Sequence, residues 1–205
     1  MNHITFWGNG SQTGAYVLWL RAREDMRIAF GRFQGGRAIA VPVGRYAYVG
    51  SAMGRGASAL AGRLLRHATR TGDKPPHPIR KTMEVAFAAE GLGSPLIRPL
   101  AQKRLRWHID YLLDEMKVAI EAVWVVRVAA RVESELARGL AAAPGVVPLA
   151  PGLGASDAPG ATHLLRLPDE GLDAPALLNS ILTDGEMAPL VARHDTGSSP
   201  RGYCR

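Results

Sequence analysis

The sequence predicts an α/β (α+β) domain whose small mixed, mainly antiparallel sheet is flanked by helices. Three observations carry this prediction. Met26 to Phe30 and Tyr46 to Val49 alternate in side-chain character with a period of two, as half-buried strands do. Ala57 to Ala68 switches to the helical period, with Leu60, Ala61, Leu64, Leu65 and Ala68 on one arc and Arg63, Arg66, His67 and Arg70 on the opposite one. The apolar fraction of 47% in 205 residues is ample for one real core, which excludes wholesale disorder.

Taken in order, Met1 to Thr13 is polar and Gly-rich and reads as a loose start. Ala15 to Arg21 is an apolar run suited to a buried strand, and Met26 to Phe30 follows as a second strand. Gln34 to Arg37 carries turn residues, so Ala38 to Val43 and Arg45 to Val49 continue the sheet with short connections and it begins antiparallel. Gly50 to Gly56 is a Gly-rich turn before the basic helix, predicted over Ser58 to Ala68. Thr71 to Arg106 is punctuated by Pro and Gly, is longer than most loops in compact domains, and contains Thr82 to Ala89 as a candidate added strand. Trp107 to Met116 has Ile109, Leu112, Leu113 and Met116 on one helical face. Ile120 to Val128 reads as a strand and Val132 to Ala142 as a helix. Val146 to Leu149 and Thr162 to Leu167 are candidate closing strands around Gly152-Leu153-Gly154, and Ala174 to Leu182 is a short helix before the tail.

The net charge is +7 and the pI about 10.1. The excess is local: Gly44 to Arg106 holds twelve Lys and Arg against three Asp and Glu, a surplus of nine, so the rest of the chain carries −2. Such a block favours a polyanionic partner, nucleic acid first. A membrane surface is disfavoured, because no basic helix carries bulky aromatic anchors. The single cysteine, Cys204, excludes an internal disulfide and a Cys-based zinc site. MNHITFWGNG lacks the pattern of a secretory leader, and no apolar run approaches the roughly 20 residues of a membrane span. The expectation is a cytoplasmic protein.

Gly14-Ala15-Tyr16 heads the first apolar run, and Tyr48-Val49-Gly50 follows later, at the junction of a strand and the Gly-rich turn. YVGSA then leads through a turn to Arg63-Leu64-Leu65-Arg66-His67, and Arg106-Trp107-His108-Ile109-Asp110-Tyr111-Leu112-Leu113 and Thr162-His163-Leu164 lie downstream. This set resembles the GIY-YIG nuclease superfamily, in particular a poorly characterised branch sometimes fused to endonuclease III. The resemblance covers Gly14 to Leu167 and implies three parts: an N-terminal extension over 1–13, a nuclease domain over 14–167 with an insertion about 71–105, and a C-terminal helix and tail over 168–205. The chain departs from the commonest pattern of that family, because 32 positions separate Tyr16 from Tyr48 and an extra strand pair fills the interval.

The resemblance implies a divalent-metal-dependent endonuclease acting on DNA, in repair or recombination, with Mg²⁺ or Mn²⁺ as cofactor, DNA as partner and a repair enzyme as a further partner. It implies catalytic roles for Tyr16, Tyr48, Arg63, His67 and Glu133, with Glu133 holding the metal. Gly50, Ser51, Arg55, Arg66 and Arg70 are candidate substrate-binding residues, since guanidinium forks match phosphate oxygens. The family places its metal-binding Glu early in a later helix. Here Glu133 shares the arc of Leu136, Ala137 and Leu140, whereas Glu135 points nearly opposite. A carboxylate on an apolar arc needs a partner or a metal, which favours Glu133. An acid favoured by the helix dipole is the other reading.

His108 and Asp110 fit a helix start better than a metal site. Tyr46 fits packing. Asp157 and His163 form a candidate polar pair at the edge of the site; the cysteines that relatives carry in this loop are replaced by Ala158 and Gly160. A non-catalytic nucleic-acid-binding module on the same fold is the alternative function, and a solvated basic face is the simplest account of the Arg-rich helix.

Overall fold

The computed structural model describes residues 3–93, 103–154, 162–183 and 188–191. In chain order the elements begin β1 (Ile4–Gly8), β2 (Gly14–Ala22), β3 (Met26–Ala29), β4 (Ala38–Val41), β5 (Gly44–Ala52), α1 (Leu60–His67) and α2 (Arg80–Ala89). They continue as α3 (His108–Leu113), β6 (Val118–Arg127), α4 (Glu133–Ala141), β7 (Val147–Pro148), β8 (Leu164–Arg166), α5 (Ala174–Thr183) and α6 (Ala188–Val191). Six strands form one sheet in the order β1-β6-β2-β5-β8-β7, and β3 and β4 form a separate ribbon. Every pair in the large sheet is antiparallel except β1 with β6. The architecture is therefore mixed α/β, with a mainly antiparallel sheet flanked by helices.

Alternation along β2 and β5 builds two cores. Tyr16, Leu18 and Leu20 with Tyr46 and Tyr48 face α1, α2 and α3. Ala15, Val17 and Trp19 with Ala47 and Val49 face α4 and α5. Both central strands are buried on both sides, which is why their sequences run almost continuously apolar.

Three segments depart from the sequence reading. Residues 4–8 are not loose but add to β6 in parallel, with Trp7 packed on Trp124 at 5.0 Å between ring centroids. Residues 82–89 belong to α2 rather than to a strand. Met83 and Phe87 bury one helical turn apart while Val85 between them is 63% exposed, so the operative period was four, not two. The helix beginning at His108 stops at Leu113, and Met116 lies beyond it with half its surface in solvent. Elsewhere the predicted strands and helices match within a few residues, except that β3 and β4 pair with each other in the separate ribbon instead of continuing the main sheet. The Gly-rich turn starts later than expected, because β5 continues through Gly50 and Ser51 to Ala52.

Candidate active site

β2 and β5 bring the two tyrosines together. Tyr16 lies opposite Gly50 and Leu18 opposite Tyr48, so Tyr16 and Tyr48 are diagonal neighbours on one face. Their ring centroids are 6.3 Å apart. Gly50 is the floor beneath Tyr16: a Cβ there would meet the Tyr16 Cζ and hydroxyl oxygen at 2.5 Å. Gly50 is thus a packing residue buried under a ring, not the phosphate contact expected from the sequence. Gly50→Ala should displace Tyr16 and cost about 1–3 kcal/mol, the usual range for overpacking. Urea denaturation measures this, and an unchanged midpoint would show that the ring has room to move.

The basic arc of α1 is largely covered: His67 and Arg70 are buried, and Arg63 and Arg66 are partly so. The segment 103–110 crosses over it, bringing Lys103, Trp107 and Asp110 onto the guanidinium groups and the imidazole. His67 is 1% exposed, which rules out the direct phosphate contact that an outward arc implied. Instead its Nε2 lies 2.8 Å from the Tyr16 hydroxyl, and its Nδ1 lies 3.5 Å from Asp110 Oδ1. Asp110 also accepts both Arg66 Nη groups at 2.9–3.0 Å and the backbone N–H of Arg106 and Trp107, closing the start of α3. The helix-start reading of Asp110 holds, and a second role is added to it. His108 packs edge-on against Phe33 and receives the Gly154 N–H at Nδ1.

Arg66 is therefore a structural partner of Asp110, not a phosphate ligand. Arg70 is also removed from the substrate set: it is buried and donates to the carbonyl oxygens of Pro75 and Val118. Arg55 remains exposed on the turn before α1. Arg63 is half-buried, with its guanidinium 4.2 Å from the centre of the Trp107 ring, while Arg66 stacks at 4.3 Å on the same ring. Arg63 Nε has no hydrogen-bond partner among the described residues. Trp107 is the functional candidate the sequence reading left without a role. Its place inside RWHID, three residues before the acid that anchors Arg66, is the signal that pointed to it.

Glu133 opens α4 and reaches the same end of the sheet. Ser51 donates to its Oε2, and His163 Nδ1 stands 2.9 Å from its Oε1. Ser51 thereby orients Glu133 instead of binding substrate. The partner of His163 is Glu133; Asp157, the partner expected from the sequence, lies outside the described residues with Ala158 and Gly160. His163 is held by its backbone, which accepts from Val49 and donates to the Leu153 carbonyl. Tyr46 donates to the Pro42 carbonyl at 2.6 Å and is a packing residue, as expected. Glu135, two residues further along the helix, is half-buried, and its Oε2 is buried without a hydrogen-bond partner among the described residues. A separate cavity, lined by Trp19, Arg45, Ile120 and Glu121, sits at the other end of the sheet and includes no residue of this constellation.

Electrostatics follow the burial. Burial raises the Tyr16 hydroxyl well above its ordinary pKa; Tyr48 and Glu133 add to this, and Arg63 opposes it. Glu133 and Arg63 therefore share one electrostatic neighbourhood with both tyrosines. Burial lowers His67 to about 4 despite Asp110, so its ring is neutral at pH 7. Burial alone would raise Asp110, but the hydrogen bonds from His67 and Arg66 and the Lys103 charge hold it well below the carboxylate range. Burial also works against ionisation of Glu133, and His163, Ser51 and Arg63 outweigh it. Lys103 is lowered by burial to about 8.

These shifts make the fold acid-sensitive. His67, and His77 at about 3, stay neutral in the folded chain where an unfolded histidine titrates near 6.5. Between about pH 6.5 and 4 the unfolded chain binds more protons, so stability falls as pH falls. Below about pH 4 the depressed carboxylates Asp110 and Glu133 act in the same direction. The urea midpoint should drop from pH 7 to pH 5; a flat profile would contradict the buried neutral histidines.

The fold and site together define an α/β protein with a buried Tyr–His–Asp chain beside Arg63 and Glu133 at one end of its sheet. The chain belongs to the family described as domain of unknown function DUF123, whose model matches residues 15–182 and so takes in every candidate from Tyr16 to His163. No curated protein and no solved structure matches the chain.

Proposed function

We propose that this protein is a divalent-metal-dependent endonuclease that hydrolyses phosphodiester bonds in DNA, a one-metal enzyme of the GIY-YIG type. The observation that carries the reading is convergence. Tyr16, Tyr48, Arg63 and Glu133, spread over 118 positions from β2 to α4, meet at one end of the sheet, and Arg63 arrives with a donor unfilled.

In this reading Arg63, braced on Trp107, neutralises a non-bridging phosphate oxygen as charge builds at phosphorus. Tyr16 is fully buried, so it acts beneath the attacking water as a proton acceptor backed by His67, and Tyr48, 6% exposed, meets that water first. Glu133 would hold Mg²⁺ or Mn²⁺. Its carboxylate is an oxygen donor of the kind a hard cation takes, and with Glu133 as the one protein ligand such an ion would keep mostly water and phosphate around it. Among the described residues no group of three or more His, Cys, Asp or Glu that could hold a metal occurs. When bound, such an ion supplies charge neutralisation and orients the phosphate. Arg55 and Arg106 are exposed beside the site and supply backbone contacts.

One observation favours a non-catalytic DNA-binding module instead: Glu133 already accepts from Ser51 and has the His163 ring 2.9 Å from its other oxygen. Incubation with branched, nicked and flap DNA, with and without Mg²⁺ or Mn²⁺, separates the two. Metal-dependent cleavage supports the endonuclease; salt-sensitive binding without cleavage supports the module. Several of the basic residues are turned inward, so the salt dependence should reflect only about three or four phosphate contacts.

Among the described residues, no helix is long and apolar enough to cross a membrane.

A further inference from the structure

Asp110 is acceptor-only when ionised, and its two oxygens are heavily subscribed. Arg66 takes both, the N–H groups of Arg106 and Trp107 take Oδ2, and Lys103 Nζ stands 3.6 Å from Oδ1. This is far more donor capacity than a helix start requires. The acid is also 0% exposed and faces His67 Nδ1 across 3.5 Å. At this distance Nδ1 makes no full hydrogen bond in the resting geometry, but a lone pair there would face an ionised oxygen that can only accept, so the carboxylate favours the proton on Nδ1. The other ring nitrogen, Nε2, is then a lone pair, and the group 2.8 Å from it is the Tyr16 hydroxyl.

We propose that Asp110 is a positioning residue that holds His67 as its Nδ1–H tautomer, so that Nε2 takes the Tyr16 proton during the reaction. The kinetic part of this inference rests on the endonuclease reading; the tautomer does not. The two proton transfers run together: the O–H bond of the attacking water breaks as its proton passes to the Tyr16 oxygen, while the O–H bond of Tyr16 breaks and an N–H bond forms at His67 Nε2, so no free tyrosinate forms. Asp110 stays ionised and stabilises the resulting imidazolium through Nδ1–H, while Arg63 offsets the negative charge that builds on the Tyr16 oxygen. The water oxygen adds to phosphorus, the P–O bond to the leaving strand breaks, and the departing oxygen takes a proton from solvent water. In net terms the water proton ends on Tyr16 and the Tyr16 proton ends on His67, which returns it to solvent after the reaction. Neutral His67 at pH 7 is the form able to accept. Arg66 and Lys103 keep Asp110 from competing for that proton.

The test is long-range ¹H–¹⁵N NMR on the full chain with ¹⁵N-labelled histidine, at pH 7 and without DNA. Wild type should show His67 protonated at Nδ1 and bare at Nε2. Asp110→Ala should lose that preference, whereas Arg66→Gln, which removes the guanidinium but leaves Oδ1 facing Nδ1, should retain it. Protonation at Nε2 in wild type overturns the proposal even if Asp110→Ala does not fold. So does a tautomer unchanged in folded Asp110→Ala, or one changed as much by Arg66→Gln, since the effect would then be general packing. In cleavage assays Asp110→Ala should lower kcat about 10²-fold or more with KM unchanged, the scale of a lost proton-transfer partner. A KM effect alone overturns the relay. A wild type that never cleaves overturns the endonuclease reading and the catalytic use of the relay together, and leaves the tautomer assignment to stand or fall by the spectrum.

Discussion

Arg63→Ala is expected to reduce DNA cleavage by about 10²-fold or more, the scale of one lost transition-state charge contact, while DNA affinity falls far less. The expectation follows from where the guanidinium sits. It is stacked on Trp107, close to the Tyr16 hydroxyl and the Glu133 carboxylate, and its Nε is unfilled. A group held this way costs little reorganisation when charge appears on a phosphate oxygen. Ground-state binding is shared with Arg55 and Arg106, so it survives the change better than the chemistry does. Trp107→Ala should follow in the same direction with a smaller loss, because it frees Arg63 without removing its charge. The measurement is single-turnover cleavage beside a binding titration at one salt concentration. Equal losses in both would make Arg63 a general phosphate contact.

Glu133→Gln is expected to abolish metal-dependent cleavage and to leave DNA binding intact. The amide keeps the shape of the side chain but removes the charge that attracts a hard cation. Without metal, affinity for DNA should even rise slightly, since a carboxylate beside the phosphate has gone. Glu135→Gln is the matched control, two residues further along in the first turn of the same helix. Cleavage at the wild-type rate in Glu133→Gln, with loss in Glu135→Gln, would reverse the choice between the two acids.

Much of the sheet was readable from local patterns. β2 and β5 are long, apolar and buried on both faces, and their pairing places Tyr16 beside Tyr48 despite the 32 positions between them. The ribbon of β3 and β4 fills that interval without disturbing the pairing. β1 escaped because a five-residue edge strand has little periodicity, and its parallel partner lies more than a hundred positions away. α2 escaped because TMEVAFAA satisfies both periods until burial decides between Val85 and Phe87.

The site was legible as a set of residue types but not as an arrangement. A helical wheel puts Arg63, Arg66, His67 and Arg70 on the polar arc, and an arc opposite the core is ordinarily solvated. What inverts it is a distant segment: Trp107 and Asp110 fold over α1, bury His67 and leave Arg66 mostly covered as a partner of Asp110. Arg70 is drawn inward by the Val118 carbonyl at the start of β6. None of these contacts leaves a spacing signature within α1. Glu133 could be preferred over Glu135 from its arc, whereas its contacts with Ser51 and His163 depend on how β5 and the residue before β8 meet.

The most direct measurement is cleavage of one branched DNA by wild type and Arg63→Ala, purified in parallel, with Mg²⁺, with Mn²⁺ and with chelator. The account predicts metal-dependent strand cleavage by wild type, none with chelator, and a loss of about 10²-fold or more in the variant. Binding without cleavage in either metal, or equal cleavage by both preparations, would contradict it.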